Sequence, residues 1–164
     1  MAEEGGEIGW YKPQIRAIIP IGKFRVSASL KKSARKFEWD FDRDFEAIME
    51  ACSDRDETWI SPEIKAAYSN LFRLGYAHCC GTYRNNKLVG GVYCAAFGNA
   101  MFAESMFHYE TDAGKVALWK LIEKAEELGF ELFEVQFLTP HLESLGAIEI
   151  DDAEYFPLLK KALR

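Results

Sequence analysis

Three apolar stretches separated by very short connections constrain the fold of this chain more than any other feature of it. Residues 76–83, 88–97 and 100–107 are rich in apolar, aromatic and small side chains. Arg84-Asn85-Asn86-Lys87 joins the first two and Gly98-Asn99 the second two, and both are turn signals. The pattern predicts three consecutive antiparallel strands. Gly90-Gly91 inside the middle strand predicts a bulge or the close approach of another backbone segment. Downstream, Ala113, Ala117, Leu118, Leu121, Ile122, Ala125 and Leu128 recur at helical spacing between Asp112 and Gly129, which predicts the longest helix. Residues 130–138 alternate around Glu134 and Gln136 as a further strand. A short helix over 141–145, a last strand over 148–150 and a terminal helix over 155–163 complete the pattern.

Upstream, Ser61-Pro62 opens a helix that carries Ile64, Ala67, Tyr68 and Leu71 on one face and ends at Gly75. Phe41, Phe45, Ile48, Met49 and Cys52 form the apolar stripe of a helix over 42–52. A short helix capped by Ser29 carries Lys31, Lys32, Arg35 and Lys36, like charges at i,i+4 spacing. This cluster is either a solvated basic turn or a contact for a phosphate backbone. Trp10–Pro13 and Ile18–Pro20 read as extended, Pro-punctuated chain.

Bulk properties narrow the class. With 164 residues, 49% hydrophobic and 28% charged, the chain can bury a core as one domain, taken here as 10–164 after a flexible, acidic, Gly-rich end at 1–9. No apolar run approaches the roughly 18 residues of a membrane span, and the N-terminal end does not resemble a signal peptide, so a cytoplasmic protein with no membrane partner is expected. Cys52, Cys79, Cys80 and Cys94 form no C-x-x-C pair and no metal-like spacing with the histidines. They are expected as reduced thiols with no metal, Cys79 and Cys80 pointing to opposite faces of a strand. A net charge of −6 disfavours nucleic-acid binding over the whole surface but leaves the local basic cluster available.

Met101-Phe102-Ala103-Glu104-Ser105-Met106-Phe107 places a carboxylate inside an apolar strand, and such a group is usually paired or used. Regular alternation puts Glu104 with Met106 on one face and Met101, Ala103 and Ser105 on the other. Glu134 and Gln136 share a face of the later strand, which is either surface or site. Trp59, just before the Ser61 cap, is either a staple-like core residue or a stacking platform. The order of elements has the layout of an acetyltransferase-superfamily-like (GNAT-like) α/β fold, a mixed sheet flanked by helices. Coenzyme A is nevertheless not expected. Where such enzymes place a Gly-rich phosphate loop, this chain has His108-Tyr109-Glu110-Thr111-Asp112-Ala113-Gly114-Lys115, with two acids and one glycine.

Several segments in order carry a more specific likeness: Glu57-Thr58-Trp59-Ile60-Ser61-Pro62-Glu63, Leu74-Gly75-Tyr76-Ala77-His78, Leu88-Val89-Gly90-Gly91-Val92-Tyr93, Glu104-Ser105-Met106-Phe107, Gly114-Lys115-Val116-Ala117-Leu118 and the run from Thr139 to Ile150. From Trp10 to about Tyr155 the chain resembles the leucyl/phenylalanyl-tRNA–protein transferases. The resemblance implies a GNAT-like fold without coenzyme A. It implies transfer of Leu, Phe or Met from aminoacyl-tRNA to the N-terminal Arg or Lys of an acceptor protein. The family's apolar amino-acid pocket falls on Val92, Met101, Met106, Leu118, Ala125 and Phe133. Its substrate-contacting carboxylate falls on Glu104, its adenosine-stacking aromatic on Trp59 with Tyr68 nearby, and its catalytic acid and amide on Glu134 and Gln136. Its phosphate contacts fall near Lys31, Lys32, Arg35 and Lys36.

The resemblance carries departures. Glu134 stands where the family has Asp, Ala125 where it has a bulky aromatic, and Ala28 where it has an Arg. The family's N-terminal segment, with a second stacking Trp and a Tyr, is expected to be missing, which leaves Trp10 or Tyr11 as candidate replacements. For Met101 and Met106 to reach one pocket, their strand must contain a bulge. Two other readings stay open: an aminoacyltransferase with a different amine or peptide acceptor, and a non-catalytic binding module of the same fold.

Overall fold

The computed structural model describes residues 12–55 and 58–164; the expected flexible end at 1–9, and Trp10 and Tyr11, lie outside the described residues. The elements run β1 (Ile15–Ile18), α1 (Ala28–Ala34), β2 (Glu38–Phe41), α2 (Phe45–Ser53), α3 (Pro62–Arg73), β3 (Ala77–Arg84), β4 (Lys87–Phe97) and β5 (Ala100–His108), then α4 (Ala113–Glu127), β6 (Leu132–Gln136), α5 (Pro140–Ser144), β7 (Ile148–Asp151) and α6 (Asp152–Ala162). The strands form one sheet in the order β2-β3-β4-β5-β6-β1-β7. The predicted meander β3–β4–β5 is its centre, and only β5 and β6 pair in parallel, as the α4 crossover between them requires.

Local chemistry explains the turns. Asn85 and Asn86 both have positive φ, the tight hairpin turn that suits asparagine. Gly75 and Gly129, at φ of 77° and 81°, end α3 and α4. Ser61 Oγ accepts from the Ile64 amide at 3.3 Å and caps α3 as expected. α1 departs from expectation: it starts at Ala28, and its cap is Ser27, whose Oγ accepts from the Leu30 amide at 3.1 Å. The helix expected from Asp42 starts instead at Phe45, because Asp42 and Asp44 adopt left-handed conformations in a turn after β2.

Two strands escaped the sequence pattern. β1 and β2 have four residues each, too few for a period-2 signal. β2 is an exposed edge, and β1 takes its place only through partners far away in sequence, β6 and β7.

Side chains divide cleanly between the two faces. Cys80, Val92, Cys94, Met101 and Phe133 join α1 and α4 in the first core cluster. On the opposite face, Cys79, Tyr93 and Phe107 pack with α2 and α3. Farther along that same face, Ile18, Ala100, Leu132 and Ile150 pack with Tyr155 and Ala162 of α6. Cys79 and Cys80 point to opposite faces as expected, and all four cysteines are free and buried.

Gly90 shows why a glycine pair sits in β4. A Cβ there would lie 2.7 Å from the Ala113 carbonyl carbon and 2.8 Å from the Gly114 nitrogen. The strand also bulges here, since Thr82 pairs with Gly90 but Tyr83 with Leu88. The start of α4 is thus docked directly on the β4 backbone. Gly90→Ala is expected to lower unfolding stability by about 1–3 kcal/mol, read from the urea midpoint. An unchanged midpoint would mean that this contact does not hold α4.

Candidate functional site

The bulge demanded by the two methionines lies at Glu104. Tyr93 pairs with Ser105 and Cys94 with Ala103, so Glu104 has no residue opposite it. A bulge adds one residue and inverts the alternation beyond it. Met106 therefore joins Met101 and Ala103 against the first cluster, whereas Glu104 and Ser105 both turn to the α2/α3 face. The expected sharing of faces between Glu104 and Met106, and between Ser105 and Met101, is corrected by this one residue.

Immediately beyond the bulge the sheet parts. β5 and β6 pair only from Ala100↔Leu132 to Phe102↔Glu134. Gln136 ends β6 at φ 64°, a strained conformation for a non-glycine residue, and its Nε2 donates to Glu104 Oε2 at 2.7 Å across the gap. Because the amide nitrogen is committed to the carboxylate, the Gln136 Oε1 is left to accept from another group. The Tyr68 hydroxyl of α3 also lies near enough to Glu104 to act on its charge. Burial raises the Glu104 pKa to about 7, with the nearby Glu134 adding to the rise and Tyr68 and the Gln136 hydrogen bond opposing it. Burial and the neighbouring Glu104 likewise push the Tyr68 phenol upward. Tyr93 stacks edge-on against Tyr68, and its buried hydroxyl has no hydrogen-bond partner among the described residues.

Glu134 lies on the same face but in a different setting. It is 2% exposed, with Oε1 2.8 Å from Arg16 Nη1 and Oε2 accepting the Tyr155 hydroxyl. The Arg16 guanidinium in turn lies over the Tyr155 ring, 4.8 Å from its centroid. Both oxygens of Glu134 are therefore taken by residues of β1 and α6. Sequence reasoning missed Arg16 and Tyr155, and no local signal marks them, since Arg16 stands 118 residues from its partner.

The six expected pocket residues come together on the opposite face. Val92, Met101, Leu118, Ala125 and Phe133 are all at most 3% exposed, and the half-buried Met106 packs against them. The gap between β5 and β6 thus lies between two environments: a carboxylate–amide pair on one face and a packed apolar cluster on the other. Trp59 is half-buried and packs against the second cluster beside Tyr68, combining a core contact with a partly open ring. Lys31, Lys32, Arg35 and Lys36 are all exposed on and just after α1. Ser33 Oγ donates to Asp112 Oδ2 at 2.7 Å, which ties this basic helix to the start of α4. No group of three or more potential metal ligands occurs among the described residues, and none of their helices is long and apolar enough to cross a membrane.

Solved structures place the fold. L-PGS from Bacillus licheniformis superposes with a TM-score of 0.50 at 14% identity, covering 77% of this chain and 48% of that one. A functionally unknown conserved protein from Staphylococcus epidermidis gives 0.53 at 11% identity, covering 84% and 57%. Likeness at this level concerns fold alone. The mixed sheet that parts beside its parallel strand pair is a GNAT-like α/β fold.

Sequence comparison is more specific. The leucyl/phenylalanyl-tRNA protein transferase family profile matches residues 18–160. Proteins named leucyl/phenylalanyl-tRNA–protein transferase are 49% identical in Cereibacter sphaeroides, over 96% of this chain and 74% of that protein, and 45% identical in Rubrobacter xylanophilus, over 100% and 87%. A third, from Herpetosiphon aurantiacus, is 46% identical over 99% and 86%. The chain belongs to the leucyl/phenylalanyl-tRNA–protein transferase family, and so to the aminoacyltransferases.

Proposed function

We propose that this chain moves Leu, Phe or Met from aminoacyl-tRNA to the N-terminal Arg or Lys of an acceptor protein, as a cytoplasmic monomer that needs no cofactor. The new N-terminal residue would serve as a degradation tag. The observation that supports the reading best is the Glu104–Gln136 hydrogen bond at the parting of β5 and β6, in a chain of this family. An aminoacyl ester is already activated, so its aminolysis needs positioning and proton transfer rather than a metal.

In this reading the ester lies at the gap and its side chain passes between the strands into the pocket of Val92, Met101, Met106, Leu118, Ala125 and Phe133. Met106, flexible and half-buried, yields to admit it. Trp59 stacks on the terminal adenine, and α1 takes backbone phosphates through Lys31, Lys32, Arg35 and Lys36. Gln136 Oε1 accepts a hydrogen bond from the attacking α-amine. As the nitrogen bonds to the ester carbonyl carbon, its surplus proton passes to the Glu104 carboxylate. When the tetrahedral intermediate collapses, the C–O bond to the ribose breaks and Glu104 returns that proton to the departing oxygen. A carboxyl group with a pKa of about 7 is suited to both transfers. Glu134, held by Arg16 and Tyr155, acts through β6 by fixing where Gln136 stands.

The test is a transfer assay with labelled Leu-, Phe- and Met-tRNA and peptides that start with Arg, Lys or Ala. Transfer to the Arg and Lys peptides at least tenfold above the Ala peptide is expected. Equal transfer to all three would favour a different amine acceptor, and tRNA binding without transfer would favour a binding module.

A further inference from the structure

Beside the C-terminal end of β5 lies a cleft of about 610 Å³. β5 contributes Phe107 and His108 to its walls, α4 contributes Lys115, α5 contributes His141, and the end of α2 leads to Arg55. Neither the family resemblance nor the site described above gives Arg55, Lys115 or His141 any role. Arg55 and His141 are exposed and Lys115 is half-buried, but Arg55 is held in place. The Arg55 guanidinium reaches across the cleft mouth, and one nitrogen, Nη2, donates to the Met106 carbonyl at 2.5 Å and lies 3.5 Å from Ser105 Oγ. These contacts fix the planar fork beside the very strand segment that lines the gap. The remaining guanidinium nitrogens make no hydrogen bond with the described residues.

The acids of the cleft decide what kind of anion it suits. Asp112 already accepts from Ser33 at 2.7 Å and pairs with Lys115 Nζ at 3.1 Å, and these contacts hold its carboxyl below the usual range. Asp54 also lines the cleft. Asp54 and Asp112 cancel the formal charge of Arg55 and Lys115, so an anion here would be held by directed donors, above all the Arg55 fork, and one phosphodiester matches so few donors better than a pyrophosphate does. The basic helix adjoins the cleft wall: the Ser33–Asp112 bond ties α1 to the segment that carries Lys115, and Lys36 lies close enough to Asp112 to act on its charge. At the other end, Arg55 stands four positions before Trp59.

We propose that Arg55 and Lys115, with His141 beside them, bind a backbone phosphodiester of the unpaired 3′ end of the tRNA and guide it from α1 to the gap. This inference rests on the proposed function and adds a phosphate site distinct from α1. A phosphodiester here would place the next nucleoside toward Trp59, so the ester it carries arrives at Glu104 and Gln136. His141 serves as a neutral donor rather than a cation, since burial and the nearby Lys115 and His108 lower its pKa.

The test uses the full chain and two donors, an aminoacyl-adenosine without phosphate and an aminoacylated dinucleotide with one phosphodiester. Binding of the dinucleotide without its aminoacyl group is measured in parallel by calorimetry. In the wild type the dinucleotide should be the better donor. Arg55→Ala and Lys115→Ala should each lower the ratio of kcat/KM, dinucleotide over adenosine, by about tenfold, the usual scale of one lost charge-assisted contact. The salt dependence of dinucleotide binding should also weaken, since one screened charge pair is lost. Arg55→Lys should restore part of the ratio, whereas a variant that merely unfolds would lose both donors together. An unchanged ratio in both Ala variants overturns the inference. Dinucleotide binding that depends on Arg55, without transfer from either donor, would sustain the phosphate site and overturn the transferase reading.

Discussion

Replacing Glu104 by Gln is expected to lower kcat/KM for aminoacyl transfer by about 10²–10⁴-fold, the usual range for losing a positioned proton-transfer group. Gln keeps the size of the side chain and can still accept the Gln136 amide, so the fold and the strand gap should survive. What disappears is the group proposed to take the proton. The pH profile carries the sharper signature. In the proposed path Glu104, with a pKa of about 7, can take the proton only when ionised. The acceptor α-amine, with a pKa near ~8, must be neutral. Log kcat/KM should therefore rise with a slope of two below pH 7 and a slope of one up to about pH 8. The Glu104→Gln variant should keep only the slope of one. A variant with the wild-type profile would remove Glu104 from the proton path.

The same residue predicts a linked effect on stability. The folded pKa of Glu104, about 7, lies above its ordinary value of 4.5. Between those values the unfolded chain is ionised while the folded chain keeps the proton, so the folded state binds more protons and stability falls as pH rises. The Gln variant should lack this decline across that window.

Glu134→Ala is expected to act mainly on stability, by about 3–5 kcal/mol, with a fall in Tm on the order of 10 °C. The cause is the group left behind: Arg16, whose side chain is 20% exposed, would lose its carboxylate while still lodged beside Tyr155. Arg16→Met combined with Glu134→Leu removes both charges and should recover most of the loss, because a buried ion pair contributes little over an apolar pair. Equal destabilisation by the single and the double variant would mean that packing, not the stranded charge, sets the cost. This pair also bears on the Glu at a position where the family has Asp. A longer side chain still reaches Arg16 and Tyr155 together, so the anchoring geometry accommodates it.

These residues also mark what the sequence made legible. The β3–β4–β5 meander, α4 and the αL glycines could be read because each rests on local chemistry: a period, a turn residue or a cap. The two methionines even required a bulge before its position was known. Its placement at Glu104 could not be read, because a bulge is fixed by pairing with β4 and leaves no mark in β5 itself. Glu134 and Gln136 looked equivalent in the sequence, two polar residues on one strand face. Arg16 on β1 and Glu104 on β5 make them different, one locked in a buried ion pair and the other bonded across the strand gap, and both partners come from distant strands. The basic cluster was evident, but Arg55 was not, since a single arginine in a turn signals nothing until the cleft forms around it.

The most direct measurement is a double-mutant cycle on kcat/KM between Glu104→Gln and Gln136→Ala, with aminoacyl-tRNA as donor and an N-terminal Arg peptide as acceptor. If the two side chains act as one unit across the strand gap, the double variant should be little worse than the poorer single variant. Losses that multiply would contradict this account, since they would mean that Glu104 and Gln136 contribute independently and that the hydrogen bond between them does not organise the transfer.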